Sequence, residues 1–131
     1  PVKADRRLLR ILSVPSAGNA ANAMAARLGS PFSEIITEED MGFAKPDPRA
    51  FEWFIDHLGR QGVRRERILH VAQSQYHDIA VAKRLGYHTC WIERRKGKAG
   101  AGATPKTAEV VIPDYHFASL AELADAVDAG A

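Results

Sequence analysis

The stretch Ile68-Leu69-His70-Val71-Ala72-Gln73-Ser74-Gln75-Tyr76-His77-Asp78-Ile79 decides the fold. It opens as a short apolar run of the kind a buried strand carries. It then turns polar. At Asp78 a new pattern begins, with Ile79, Ala82 and Leu85 at helical spacing, so the stretch reads as strand, polar turn, helix. In an open parallel sheet, ligands bind outside the carboxyl ends of the strands. Gln73, Ser74, His77 and Asp78 stand at that place. The same residues also suit a plain helix start, in which Ser74 and Asp78 cap backbone donors. Turns of this kind are common to all α/β folds, so both readings stay open on this stretch alone.

The flanking sequence repeats the alternation. Residues 8–12 and 32–37 read as short strands, and residues 20–28 as a helix stopped by Gly29. Lys45-Pro46-Asp47-Pro48 launches a helix, since proline is tolerated in the first turn. Phe51, Phe54, Ile55 and Leu58 follow at i, i+3, i+4 and i+7, a buried face, with Trp53 off the stripe. After the central unit, Gly86 ends a helix, and residues 87–92 form a strand by their β-branched and aromatic content. Residues 96–106 are rich in Gly, Ala and Lys and read as a mobile loop. Residues 109–113 read as an edge strand, because Pro113 excludes a central one. Ser119-Leu120-Ala121-Glu122 is a capping box opening a last helix, with Leu120, Leu123, Ala124 and Val127 on its apolar face. Strands alternating with helices define an α/β fold with a parallel sheet.

The chain has 131 residues, one domain or part of one, and 46% of them are hydrophobic, enough for a core. It begins at Pro1 and reads as a fragment or a processed start. The net charge of +2 is too small and too scattered for a dedicated nucleic-acid binder, and the local runs Arg64-Arg65-Glu66-Arg67 and Arg94-Arg95-Lys96 suit solvated surface. No apolar run approaches the ~20 residues of a membrane span, and no secretory signal is visible. The single cysteine, Cys90, lies in an apolar run and reads as a small buried side chain, so a cytoplasmic setting is expected.

Three polar positions follow a strand or the loop after one: Ser13, Lys45 and the turn from Gln73 to Asp78. In a parallel sheet they open on one rim. A hydroxyl, a cation and a carboxylate together suit an anionic substrate, with hydroxyl and ammonium gripping oxygens and the carboxylate orienting or deprotonating water. Nothing in the spacing joins Ser13 to His77, so a Ser-His-Asp triad is a weak reading. His70, His77 and Asp78 lack a zinc-like spacing, and one carboxylate is a poor basis for Mg²⁺.

The ordered pieces resemble the haloacid dehalogenase superfamily. They are a strand ending Ile11-Leu12-Ser13, Lys45-Pro46-Asp47-Pro48 opening a helix, and the strand–turn–Asp78-Ile79 unit followed by Ala82 and Gly86. The resemblance covers nearly the whole chain. The residues 68–78, Trp91-Ile92-Glu93-Arg94-Arg95 and Gly100-Ala101-Gly102-Ala103-Thr104 look closest to the (S)-2-haloacid dehalogenase-like branch. The resemblance implies a Rossmann-like, three-layer α/β/α core with a mostly parallel sheet. It also implies a nucleophilic aspartate on a first strand that forms and then loses a covalent ester. By the resemblance, that strand and most of a helical cap should precede residue 1, and the core in this chain is expected to be incomplete. The strands at residues 8–12 and 68–72 would then lack the neighbour between them, and this chain by itself would not turn over substrate. A complementing N-terminal segment or a homo-oligomer is the expected partner, beside a small anionic substrate.

By the same resemblance, Lys45 and Asp78 are the catalytic residues, and Ser13 and Ser74 bind or support the substrate end of the site. Val14 stands where dehalogenase-type members carry Asn, and Asn19 is the nearby amide offered in its place. Gln73 stands where phosphatases of the family carry a magnesium-binding aspartate, so no metal is expected, with Asp78 the ligand if Mg²⁺ is used. A hydrolase of the dehalogenase-like kind leads. A magnesium-dependent phosphatase and a non-catalytic binding or assembly module on the same scaffold are the alternatives.

Overall fold

The structure is a computed structural model that describes residues 34–94 and 110–129. Three strands, β1 (Leu69–Ala72), β2 (His88–Ile92) and β3 (Tyr115–Phe117), form a parallel sheet in the order β1-β2-β3. The register runs from Leu69 opposite His88 to Ala72 opposite Trp91, then from Cys90 opposite Tyr115 to Ile92 opposite Phe117. No described strand lies beside the other edge of β1. That strand is half-buried rather than sealed in, with Val71 37% exposed. The mixed α/β architecture and the parallel sheet are those expected of a Rossmann-like core.

The first expected strand within this range does not form. Residues 34–37 make no ladder. Thr37 instead opens the short helix α1 (Glu38–Met41): its Oγ1 accepts from the Asp40 N–H, and the Asp40 carboxylate accepts the Thr37 N–H at 2.9 Å. This reciprocal cap satisfies donors that a lone strand would leave open. Ile36 is still buried, by packing rather than by strand pairing. Gly42, at φ 79°, ends α1 in the left-handed conformation that glycine adopts at least cost.

Helix α2 (Pro48–Gly59) forms as the spacing predicts. Asp47 caps it by accepting from the Arg49 N–H at 2.9 Å, and Ala50, Phe51, Phe54 and Leu58 are buried. Each large apolar side chain so buried contributes about 1.5–3 kcal/mol. Trp53 and Ile55 pack at the core's edge, and Trp53 stacks on His57, whose Nε2 lies 2.6 Å from Glu34 Oε1. The core joins α2 to the helix after β1, α3 (Ala80–Arg84), through Phe51, Phe54, Val81, Ala82 and Tyr87. The Tyr87 hydroxyl donates to the Phe51 carbonyl at 2.5 Å. Cys90 is wholly buried, as expected, and burial pushes its thiol up to about 11.

The edge strand forms later than expected, at β3 rather than over residues 110–113. Pro113 has no N–H to donate. Asp114, next in line, bonds Thr89 instead: its Oδ2 accepts the Thr89 N–H at 2.8 Å and the Thr89 hydroxyl at 3.2 Å. Helix α4 (Leu120–Asp128) starts where the cap predicts, with Ser119 Oγ accepting from the Glu122 N–H at 3.1 Å. Its expected apolar face is only half covered: Leu123 and Val127 are half-buried, and Leu120 is 62% exposed. The loop expected over residues 96–106 lies outside the described residues.

Asp114 locks β3 to β2. The Lys83 ammonium holds its carboxyl below the usual range, burial opposes this, and the Thr89 N–H adds to it. Asp114→Ala strands the N–H of the wholly buried Thr89 and is expected to cost about 1–3 kcal/mol in urea unfolding. The folded-state pKa is depressed, so this contribution is present above the ordinary carboxylate value of about 3.9 and is lost as pH falls through the lower folded value. The stability gap between wild type and Asp114→Ala therefore narrows at low pH, while the part that comes from the Thr89 N–H persists, because a protonated carboxyl still accepts a hydrogen bond. Equal stability at neutral pH would show that the lock is idle.

Candidate active site

The chain leaves β1 at its carboxyl end and enters a turn, Gln75–Ile79, with i→i+5 hydrogen bonds. The Ile79 N–H bonds the Ser74 carbonyl at 3.1 Å, and the Ala80 N–H bonds that of Gln75. Such wide turns hold an extra residue and are frequent at functional sites. The expected regular helix from Asp78 thus begins only at Ala80. Asp78 lies within the wide turn, 5% exposed, on the sheet's carboxyl rim.

Lys45 reaches the same place from the loop before α2. Its peptide bond to Pro46 is cis. Lys45 Nζ donates to Asp78 Oδ1 at 2.5 Å. His70, from β1, places Nε2 2.9 Å from the same oxygen. A carboxylate oxygen only accepts, so we assign the proton to Nε2. Burial pushes the Asp78 carboxyl up, but the His70 hydrogen bond and the Lys45 charge outweigh it and hold the group below its ordinary value. The His70 ring sits edge-on between Phe51 and Tyr87, at 5.3 and 5.9 Å.

Of the residues the sequence singled out, the structure brings Lys45 and Asp78 together. Ser13 and Asn19 lie outside the described residues. Ser74 is 2% exposed, and its Oγ accepts the His77 N–H at 2.9 Å and lies 3.1 Å from His77 Nδ1, so it shapes the turn it opens. His77 is joined to Ser74, and the histidine joined to Asp78 is His70. Sequence reasoning did not single out His70 as a site residue. Its signal was a polar side chain inside an apolar strand, which needs a partner once buried.

Two side chains brace the rim. The Gln75 amide bonds both the N–H and the carbonyl of Val111, at 3.0 and 3.1 Å. The Trp91 indole N–H donates to the Gln73 carbonyl at 3.0 Å. Among the described residues, no group of three His, Cys, Asp or Glu side chains could hold a metal ion. Asp78 Oδ1 is taken by two donors, Lys45 and His70. No helix among them is long and apolar enough to cross a membrane. The arrangement is suited to anion chemistry: a half-buried ammonium, fixed by a buried carboxylate, at an open strand end.

Lys45→Met leaves the Asp78 carboxylate with His70 alone. It is expected to cost about 2–3 kcal/mol, less than the ~3–5 kcal/mol of a wholly buried pair because Lys45 is 23% exposed. The folded Asp78 pKa is depressed, so the pair stabilises above the ordinary aspartate value and stops doing so as pH falls through the folded one. Urea unfolding at stepped pH checks this, and a cost that does not shrink on acidification would assign it to packing.

No family model matches the chain. Among curated proteins it is 33% identical over 92 residues to the zebrafish (Danio rerio) haloacid dehalogenase-like hydrolase domain-containing protein 3, covering 70% of this chain and 34% of that protein. It is 37% identical over 65 residues to haloacetate dehalogenase H-2 of Moraxella sp. (strain B), covering 48% and 26%. Among solved structures it superposes on the HAD-hydrolase YfnB of Bacillus subtilis, bound to magnesium, with a TM-score of 0.68 and 22% identity, covering 94% of this chain and 51% of that one. The chain thus spans about a quarter to a third of the curated relatives and about half of the solved structure. The strand–turn–Asp78 unit, the Lys45–Asp78 pair and the likeness to these relatives together support a fragment of the haloacid dehalogenase superfamily.

Proposed function

We propose that this chain is the later part of the catalytic core of a hydrolase acting on a small organic anion, of the haloacid dehalogenase-like kind. The observation that carries the reading is the Lys45–Asp78 pair at the carboxyl end of β1. An ammonium has three N–H groups. Asp78 takes one, leaving the others for a substrate carboxylate and for a neighbouring nucleophile. The likeness to haloacetate dehalogenase H-2 supports a haloacid as the substrate class.

The nucleophile is an aspartate on a segment outside this chain. Its carboxylate attacks the carbon bearing the halogen, the bonding pair leaves with the halide, and an ester forms. Water then adds to the ester carbonyl, the hydroxy acid departs, and one proton passes to solvent. Lys45 offsets the negative charge gathered on nucleophile and substrate, and Asp78 keeps Lys45 aimed. Because the chain spans 34% of the zebrafish relative and 51% of YfnB, the remaining machinery is assigned to a complementing N-terminal segment or to a partner copy. The chain alone does not turn over.

The competing reading is a magnesium-dependent phosphatase on the same scaffold, which YfnB's bound magnesium favours. Gln73 brings no negative charge to the rim and stands against it. The test uses the full-length protein with 2-chloropropionate and with p-nitrophenyl phosphate, each with chelator and with Mg²⁺. Halide release that survives chelator, and falls by about 10²–10³ in Lys45→Ala, is expected. Phosphate release dependent on Mg²⁺, without halide release, would replace this reading by the phosphatase. Turnover of neither would leave a non-catalytic module.

A further inference from the structure

We propose that His70 is a positioning residue that holds Asp78 in the orientation Lys45 requires; this rests on the hydrolase reading of the Lys45–Asp78 pair. The two donors to Asp78 Oδ1 differ in how firmly they are placed. Lys45 extends from a loop on a four-carbon stem. His70 stands in a strand hydrogen-bonded to β2, opposite Thr89. Its ring has two rotatable bonds and is gripped edge-on by Phe51 and Tyr87. Tyr87 is in turn tied through its hydroxyl to the Phe51 carbonyl. The Nε2–H therefore points from a fixed frame, and the carboxylate at 2.9 Å aligns to it. With Oδ1 so placed, the ammonium of Lys45 docks at 2.5 Å in one position rather than several.

This part goes beyond packing. A histidine needed only to fill space between two rings would be replaced without loss by phenylalanine. A histidine whose Nε2–H orients Asp78 would not, and glutamine, which carries an amide N–H at a similar reach, would restore the function in part. His70 touches neither substrate nor reacting atoms in this scheme and acts through Asp78 and Lys45.

The experiment compares His70→Phe and His70→Gln in the full-length protein by two readouts. The first is steady-state kinetics on whichever substrate the wild type turns over. His70→Phe is expected to lower kcat by about 10- to 100-fold, the range for a displaced catalytic group, with KM within about threefold. His70→Gln is expected to recover most of that loss. The second is competitive acetylation of Lys45 read by mass spectrometry, which needs no turnover. Lys45 is expected to label several-fold faster in His70→Phe than in the wild type or His70→Gln. Wild-type kcat and labelling in a folded His70→Phe would overturn the proposal, as would a His70→Gln as impaired as His70→Phe in both readouts. If His70→Phe does not fold, His70→Asn, whose amide stops short of Asp78, takes its place with the same expectations. If the wild type turns over nothing, the hydrolase reading fails by itself, and the labelling still decides whether His70 orders the pair.

Discussion

A carboxylate buried as deeply as Asp78 is stable in its charged form only where charge and donors meet it, and much of the described structure serves that condition. Lys45 supplies the charge, His70 the fixed donor, and the wide turn the place. These come from three segments: the loop before α2, the strand β1, and the turn after it. Bringing them together requires α2 to lie against α3, which the Phe51, Phe54, Val81, Ala82 and Tyr87 cluster achieves. Phe51 and Tyr87 serve both ends, packing the core and gripping the His70 ring. The core and the candidate site are in this sense one assembly.

Strand ends raise a second constraint, because backbone groups that leave the ladder still need partners. At the carboxyl rim those partners are side chains. Trp91 serves the Gln73 carbonyl and Gln75 serves both polar groups of Val111, while at the opposite, amino end of β2 and β3 Asp114 and Thr89 serve each other. Each bond reaches across a wide sequence separation, so the rim is braced from β2 and from the segment before β3. A site built on such a frame keeps its groups in register better than one carried by a free loop.

Where expectation and structure part, a local cap or a distant partner prevailed over pattern. Residues 34–37 carry strand-like apolar residues, yet Thr37 and Asp40 close a capping box and turn the chain into α1. Residues 110–113 look like an edge strand, but pairing waits until Pro113 is passed and Asp114 has found Thr89. The apolar spacing after Asp78 predicts a helix from that residue, yet the helix proper begins at Ala80 because the intervening turn bonds i→i+5.

The amino-acid order by itself determined the α/β alternation, the α2 face, the Ser119 cap and the buried Cys90, since periodicity and capping are local properties of a chain, and the family resemblance singles out Lys45 and Asp78, which the structure places together. Tertiary structure alone decided that His70 rather than His77 meets Asp78, that Ser74 is turned into its own turn, and that Gln75 reaches Val111. Those outcomes depend on which segments lie side by side in space. A hydrogen bond between residues 36 positions apart leaves no period in the sequence, and two histidines seven residues apart are told apart only by the directions in which strand and turn aim them.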